Sequence, residues 1–88
     1  MASLEFYTDD IRSRLGTDSG INATMKFDFG KDGVIYVDAK NVPHSVDNED
    51  RKADCTMKIS LPNFTKMADG KLNPAIALAT GKIRIKGN

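Results

Sequence analysis

The chain has 88 residues, room for one domain and not two, because a domain of this size buries only about 60 to 65% of the surface its unfolded form exposes. A formal net charge of +1, with 28% charged and 40% hydrophobic residues, is the balance of an ordinary globular protein. Nothing in it calls for a nucleic-acid partner, and with 7% aromatic residues and no tryptophan there is little from which to build a base-stacking surface.

The single cysteine, Cys55, excludes an internal disulfide and fits a reducing compartment, so the cytoplasm is the expected location. The N-terminus, MASLEFYTDD, carries carboxylates where a secretory signal needs a basic start and an apolar run. No segment approaches the roughly 20 apolar residues of a membrane span.

In chain order, Leu4, Tyr7, Ile11 and Leu15 recur every three or four residues and predict a helix over residues 3–15, with Ser3 as its cap and Gly16 as its stop. A start at Thr8, before Asp9 and Asp10, is equally compatible. From Ile21 the period becomes two: Ile21, Ala23, Met25, Phe27 and Phe29 alternate with polar residues, which reads as a strand with one wet face. The GKDG turn at residues 30–33 closes a hairpin. The returning strand, residues 34–39, should turn Ile35, Val37 and Ala39 inward.

Residues 41–52 are polar, with Val42 and Val46 as apolar anchors, and hold one short edge strand at most. Cys55, Met57 and Ile59 alternate as a fourth strand. Pro62 suits the first position of a helix carrying Phe64, Met67 and Ala68 inward and ending at Gly70. Asn73 and Pro74 then start a short helix through Ile76, Ala77, Leu78 and Ala79, closed by Gly81. KIRIK alternates Ile83 and Ile85 with Lys82, Arg84 and Lys86, a last strand with one basic face.

Together these elements predict a single α+β domain over residues 1–88, a mixed sheet with helices on one face. The crossover through both short helices is long enough to return the last strand parallel to the fourth.

No set of side chains for catalysis, for a metal or for a cofactor emerges. The lone His44 has no second histidine or further cysteine to complete a metal set. The acidic run Asp47, Asn48, Glu49, Asp50 lacks the spacing of a calcium loop and reads as a solvated loop. Lys58, Lys82, Arg84 and Lys86 should share one side of the sheet if the fourth and last strands pair. That stripe fits an anionic membrane surface or an acidic partner, or simply keeps a bare face soluble. Met57, Phe64, Met67, Leu72, Ile76 and Leu78 form an apolar cluster in which flexible methionines suit a variable ligand and equally suit a core.

Residues 52–88 resemble the second half of the sterol carrier protein type 2 lipid-binding domain family. The resemblance rests on Lys52, Ala53 and Asp54 opening a strand, Phe64 in the next helix, Gly70-Lys71, Asn73-Pro74, Gly81-Lys82 and Gly87 closing the last strand. The first half is similar more loosely, through its amphipathic helix and a second strand ending in Asp38, Ala39, Lys40, Asn41.

The resemblance implies a five-stranded sheet with helices on one face and an apolar tunnel between the layers. It also implies non-catalytic binding or transfer of fatty acids, fatty acyl-CoA, phospholipids or sterols. Carried over by position, Phe27, Ile35, Met57, Phe64, Met67, Ile76 and Leu78 would line that tunnel. Domains of this fold also occur attached to enzymes, which leaves a solid structural or dimerisation module as the other implied role. Family members commonly continue past the last strand into a helix that closes the tunnel, whereas this chain stops at Asn88. An open mouth, or a homodimer covering the bared face, is therefore expected.

Overall fold

A computed structural model describes residues 3–87. Helix α1 (Leu4–Leu15) begins at Ser3, whose hydroxyl accepts from the Phe6 N–H, so the earlier of the two candidate caps is used. Strands β1 (Thr24–Asp28) and β2 (Val34–Asp38) form the expected hairpin around a single 3-10 turn at Gly30–Asp32. Strand β3 (Ser45–Asp47) is the short edge strand, and β4 (Cys55–Ile59), α2 (Leu61–Ala68), α3 (Pro74–Ala79) and β5 (Ile83–Gly87) complete the chain. None of the described helices is long and apolar enough to cross a membrane.

The five strands make one mixed sheet in the order β3-β2-β1-β4-β5. Its parallel pair is β1 with β4, while β4 and β5 run antiparallel. This corrects the expectation that the helical crossover returns the chain parallel. Crossover length permits either sense, and the antiparallel register sets Ile83 and Ile85 beside Ile59 and Met57, joining the two apolar rows on one face. On that face α1 lies against β2 and β3, and α3 against β5. The core between them is built from Tyr7, Phe29, Ile35, Val37, Val46, Ile59 and Ala77, with Ile35 and Ala77 completely enclosed.

The opposite face is not wet throughout. Val34 and Tyr36 are buried there because the segment after β3 crosses the back of the sheet on its way to β4. Arg51 stacks its guanidinium 4.8 Å from the Tyr36 ring centroid, the Tyr36 hydroxyl donates to the Lys52 carbonyl, and Lys26 pairs with Asp50 at 2.8 Å. The Asn48 amide donates to Thr8 Oγ1 and to the Val34 carbonyl. Arg51 also holds Asp47 and Glu49, so the acidic run is a braced loop rather than a loose one.

Three placements differ from the periodicity. Ile21 is 51% exposed because the chain turns at Asn22, with φ 58°, and joins the sheet only at Thr24. Pro62 is the second helical residue, since Leu61 is the first and Ser60 caps it by accepting from the Asn63 N–H. Ala68 is exposed, at the end of a helix already closing on Asp69.

The parallel pair is pinned at its start by two reciprocal bonds: the Thr24 N–H donates to Asp54 Oδ2 and the Asp54 N–H donates to Thr24 Oγ1. The Thr24 N–H bond holds the Asp54 carboxyl below its ordinary range, against a smaller opposing effect of burial. Because the folded value is the depressed one, this stabilisation is complete above the unfolded pKa of about 3.9. It is lost as pH falls through the folded value. Acid unfolding followed by circular dichroism should thus show stability falling below about pH 4, with a shallower fall in Asp54→Asn.

At the same end of β4, Gly87 has φ +95° and faces Cys55, and a Cβ there would lie 2.1 Å from the Asp54 carbonyl oxygen. Gly87→Ala should lower stability by about 1 to 3 kcal/mol in urea titration.

Candidate functional site

Between the outer half of the sheet and the two short helices lies a groove lined entirely by apolar side chains. Its walls are Met57 on β4, Met67 on α2, Pro74, Ala75 and Leu78 on α3, and Ile83 and Ile85 on β5, around a volume of about 390 Å³. That lies toward the lower end of the range for small-molecule sites. Leu78 and Ile85 are 50% and 51% exposed, so the space is a groove open along its rim and not the enclosed tunnel expected.

Local sequence explains this shape. The Asn73 side chain accepts from the Ala75 and Ile76 N–H groups and fixes where α3 starts. With only six residues, the helix turns a single side chain fully inward, Ala77 at 0% exposure. Successive residues sit about 100° apart around a helix, so Ile76 and Leu78 diverge on either side of Ala77. Leu78 reaches the groove; Ile76 is 59% exposed and does not line it. The small side chain of Ala77 lets the helix lie close over the sheet, while the groove stays open at the margin.

Of the residues expected to line a tunnel, Met57, Met67 and Leu78 come together in the groove. Phe27 and Phe64 instead belong to an aromatic cluster with Tyr7 and Phe29. Phe64 is the hub, with ring centroids 4.9 Å from Tyr7, 5.8 Å from Phe27 and 5.2 Å from Phe29. Phe27 is the register partner of Met57, and Phe64 precedes Met67 by one helical turn, so this cluster stands beside the groove. Tyr7 ties α1 to α2 through its hydroxyl, 3.1 Å from Thr65 Oγ1. Ile35 is sealed in the core and reaches no hollow.

Pro74, Ala75, Ile83 and Ile85 were not singled out as site residues. The alternation of KIRIK, which sets both isoleucines opposite the strand's basic face, is the available signal.

Lys58, Lys82, Arg84 and Lys86 do share a side of the sheet, the one facing away from the helices. Lys58 sits directly opposite Arg84, and Lys86 opposite Thr56. Lys82 and Arg84 line a hollow with Lys58. The stripe and the groove therefore occupy opposite faces of β5.

His44 is a strut between loops. The Ser19 N–H donates to its Nε2 at 2.7 Å, and its Nδ1 lies 2.7 Å from the Asn41 carbonyl. Beside it, Asp38 is held below the ordinary carboxylate range, first by the Asn41 side chain and then by the Asn41 and Lys40 N–H groups. Among the described residues no cluster of metal-binding side chains occurs.

The sequence pattern of a family described as "SCP-2 sterol transfer family" matches residues 15–88. "Sterol carrier protein 2" of Homo sapiens is 43% identical over 60 residues, 67% of this chain and 11% of that protein. "Hydroxysteroid dehydrogenase-like protein 2" of Danio rerio is 43% identical over 58 residues, 64% of this chain and 14% of that protein. The chain thus corresponds to about a tenth of the length of these relatives. Among solved structures, "Sterol Carrier Protein 2 from Yarrowia Lipolytica (apo form)" superimposes with a TM-score of 0.66 at 31% identity, covering 76% of this chain and 58% of that one.

Because three rings meet on Phe64, its removal takes away the support between α1, α2 and β1. Phe64→Ala should cost about 3 kcal/mol of unfolding free energy in urea, with a broadened one-dimensional NMR spectrum as the companion sign.

Proposed function

The chain belongs to the SCP-2 sterol transfer family, and on that premise we propose that it binds and carries apolar lipids, without catalysis, in the groove between β4, β5 and the two short helices. The observation that carries this reading is the groove's lining. Seven apolar side chains and no charged or hydrogen-bonding one surround the space. Such a site recognises area and shape, not a headgroup, and gains about 0.8 kcal/mol for each methylene it buries. Met57 and Met67 contribute flexible side chains that re-pack around chains or rings of different outline. Fatty acids, the acyl chains of phospholipids or acyl-CoA, and sterols all meet that requirement.

The completely enclosed Ile35 and Ala77 favour a second reading, a structural module whose interior is solid. Displacement of a fluorescent acyl probe separates the two. On the carrier reading, affinity for a fatty-acid series rises about fourfold per added methylene until the groove is filled. Met67→Trp, which fills the groove, should abolish uptake while the protein stays folded by circular dichroism. Ile76→Trp, outside the groove, should leave uptake unchanged. A wild-type protein that ignores the probe, or a folded Met67→Trp protein that still takes it up, refutes the carrier reading.

A further inference from the structure

The back of the sheet holds a second hollow of about 350 Å³, lined by Asp28, Phe29 and Gly30 from the first hairpin, Lys58 to Ser60 from the end of β4, and Gly81, Lys82 and Arg84 from the start of β5. Four of the protein's thirteen cationic side chains are ion-paired among the described residues. Arg12, Arg14, Lys26 and Arg51 each find a carboxylate within 3.0 Å. Lys58, Lys82 and Arg84 form no such pair among the described residues, although the antiparallel register places Lys58 directly across from Arg84. Like charges directly opposite on neighbouring strands destabilise a sheet.

The one carboxylate in the hollow, Asp28, already accepts the Gly30 N–H through Oδ1 at 2.9 Å. Three cations against one carboxylate leave a net charge of +2 (3 − 1) on the lining. At the rim, the Ser60 oxygen accepts from the Asn63 N–H, which leaves its O–H free to donate. Ser60 also caps α2, whose positive end adds to the field there.

From this geometry we infer that the hollow formed by Lys58, Lys82, Arg84 and Ser60 is an anion site for a phosphate-type dianion, either free phosphate or the phosphate of a headgroup. The arginine offers a planar fork to two oxygens, and the two lysines offer point charges from the neighbouring strand and from the turn. A bound dianion relieves the repulsion that the Lys58–Arg84 register imposes. This site lies across the sheet from the apolar groove and stands or falls independently of what the groove binds.

The test is a phosphate titration of the labelled protein, followed by amide chemical shifts at constant pH, with sodium chloride holding ionic strength fixed. Saturable shifts centred on Ser60, Lys82 and Arg84 are expected. Arg84→Gln and Lys58→Gln should each weaken phosphate binding at least tenfold, whereas Lys71→Gln, a lysine outside the hollow, leaves it unchanged. A parallel titration with dihexanoyl phosphatidic acid below its micelle concentration identifies the source. Saturation at lower concentration than inorganic phosphate assigns a headgroup, and equal or weaker binding assigns free phosphate. Shifts that vanish once ionic strength is matched, or that persist undiminished in folded Arg84→Gln, overturn the inference.

Discussion

The parallel pairing of β1 with β4 is the contact on which the rest of the architecture depends. Both strands are interior to the sheet, and each has its other edge filled by an antiparallel neighbour, β2 for β1 and β5 for β4. Parallel neighbours cannot be joined by a tight turn, so the chain must travel from the far edge of the sheet to the other side of β1. It does so behind the sheet, and the crossing segment carries the side chains that bury Tyr36 and pair Lys26. The reciprocal Thr24 and Asp54 bonds mark where that journey ends and fix the register of β4. Every later element inherits this register, including the opposition of Lys58 and Arg84.

The crossing also divides the protein into two unlike halves. Over β2 and β3 the sheet is covered on one face by α1 and on the other by the braced loop, and its interior is closed around Ile35 and Val37. Over β4 and β5 the helices are short, the back face is bare, and the margin stays open. Most of the buried apolar side chains belong to the first half, and the aromatic cluster around Phe64 ties that half to α2. The second half can then leave apolar surface unfilled at Leu78 and Ile85 without exposing the core behind it.

Much of this was legible from residue order. Helix caps at Ser3 and Asn73, the hairpin turn at residues 30–33 and the alternating runs of β4 and β5 are local signals, and the structure keeps each of them. The sense of β5 was not legible, because crossover length permits both directions and only the matching of apolar rows decides. Burial of Tyr36 was hidden for a similar reason: its cover, Arg51 and the Lys52 carbonyl, comes from a loop with no apolar pattern. At the site, Met57, Met67 and Leu78 were recognisable as an apolar set. The phase of α3 was not, since four consecutive apolar residues from Ile76 to Ala79 give no periodicity, and the smallest useful fit, Ala77, takes the inward place.

The last strand shows how few residues are needed to build two chemically opposite surfaces. A strand turns alternate side chains to opposite faces, so five residues of β5 deliver Ile83 and Ile85 to the helix side and Arg84 and Lys86 to the bare side. Neither set is independent of the other. A one-residue slip of β5 against β4 would put isoleucines on the solvent face and cations into the groove. The apolar lining thereby enforces the register that crowds the cations together. The electrostatic strain on the back of the sheet is a consequence of satisfying the hydrophobic front, and an anion is the partner that can relieve it without disturbing the groove.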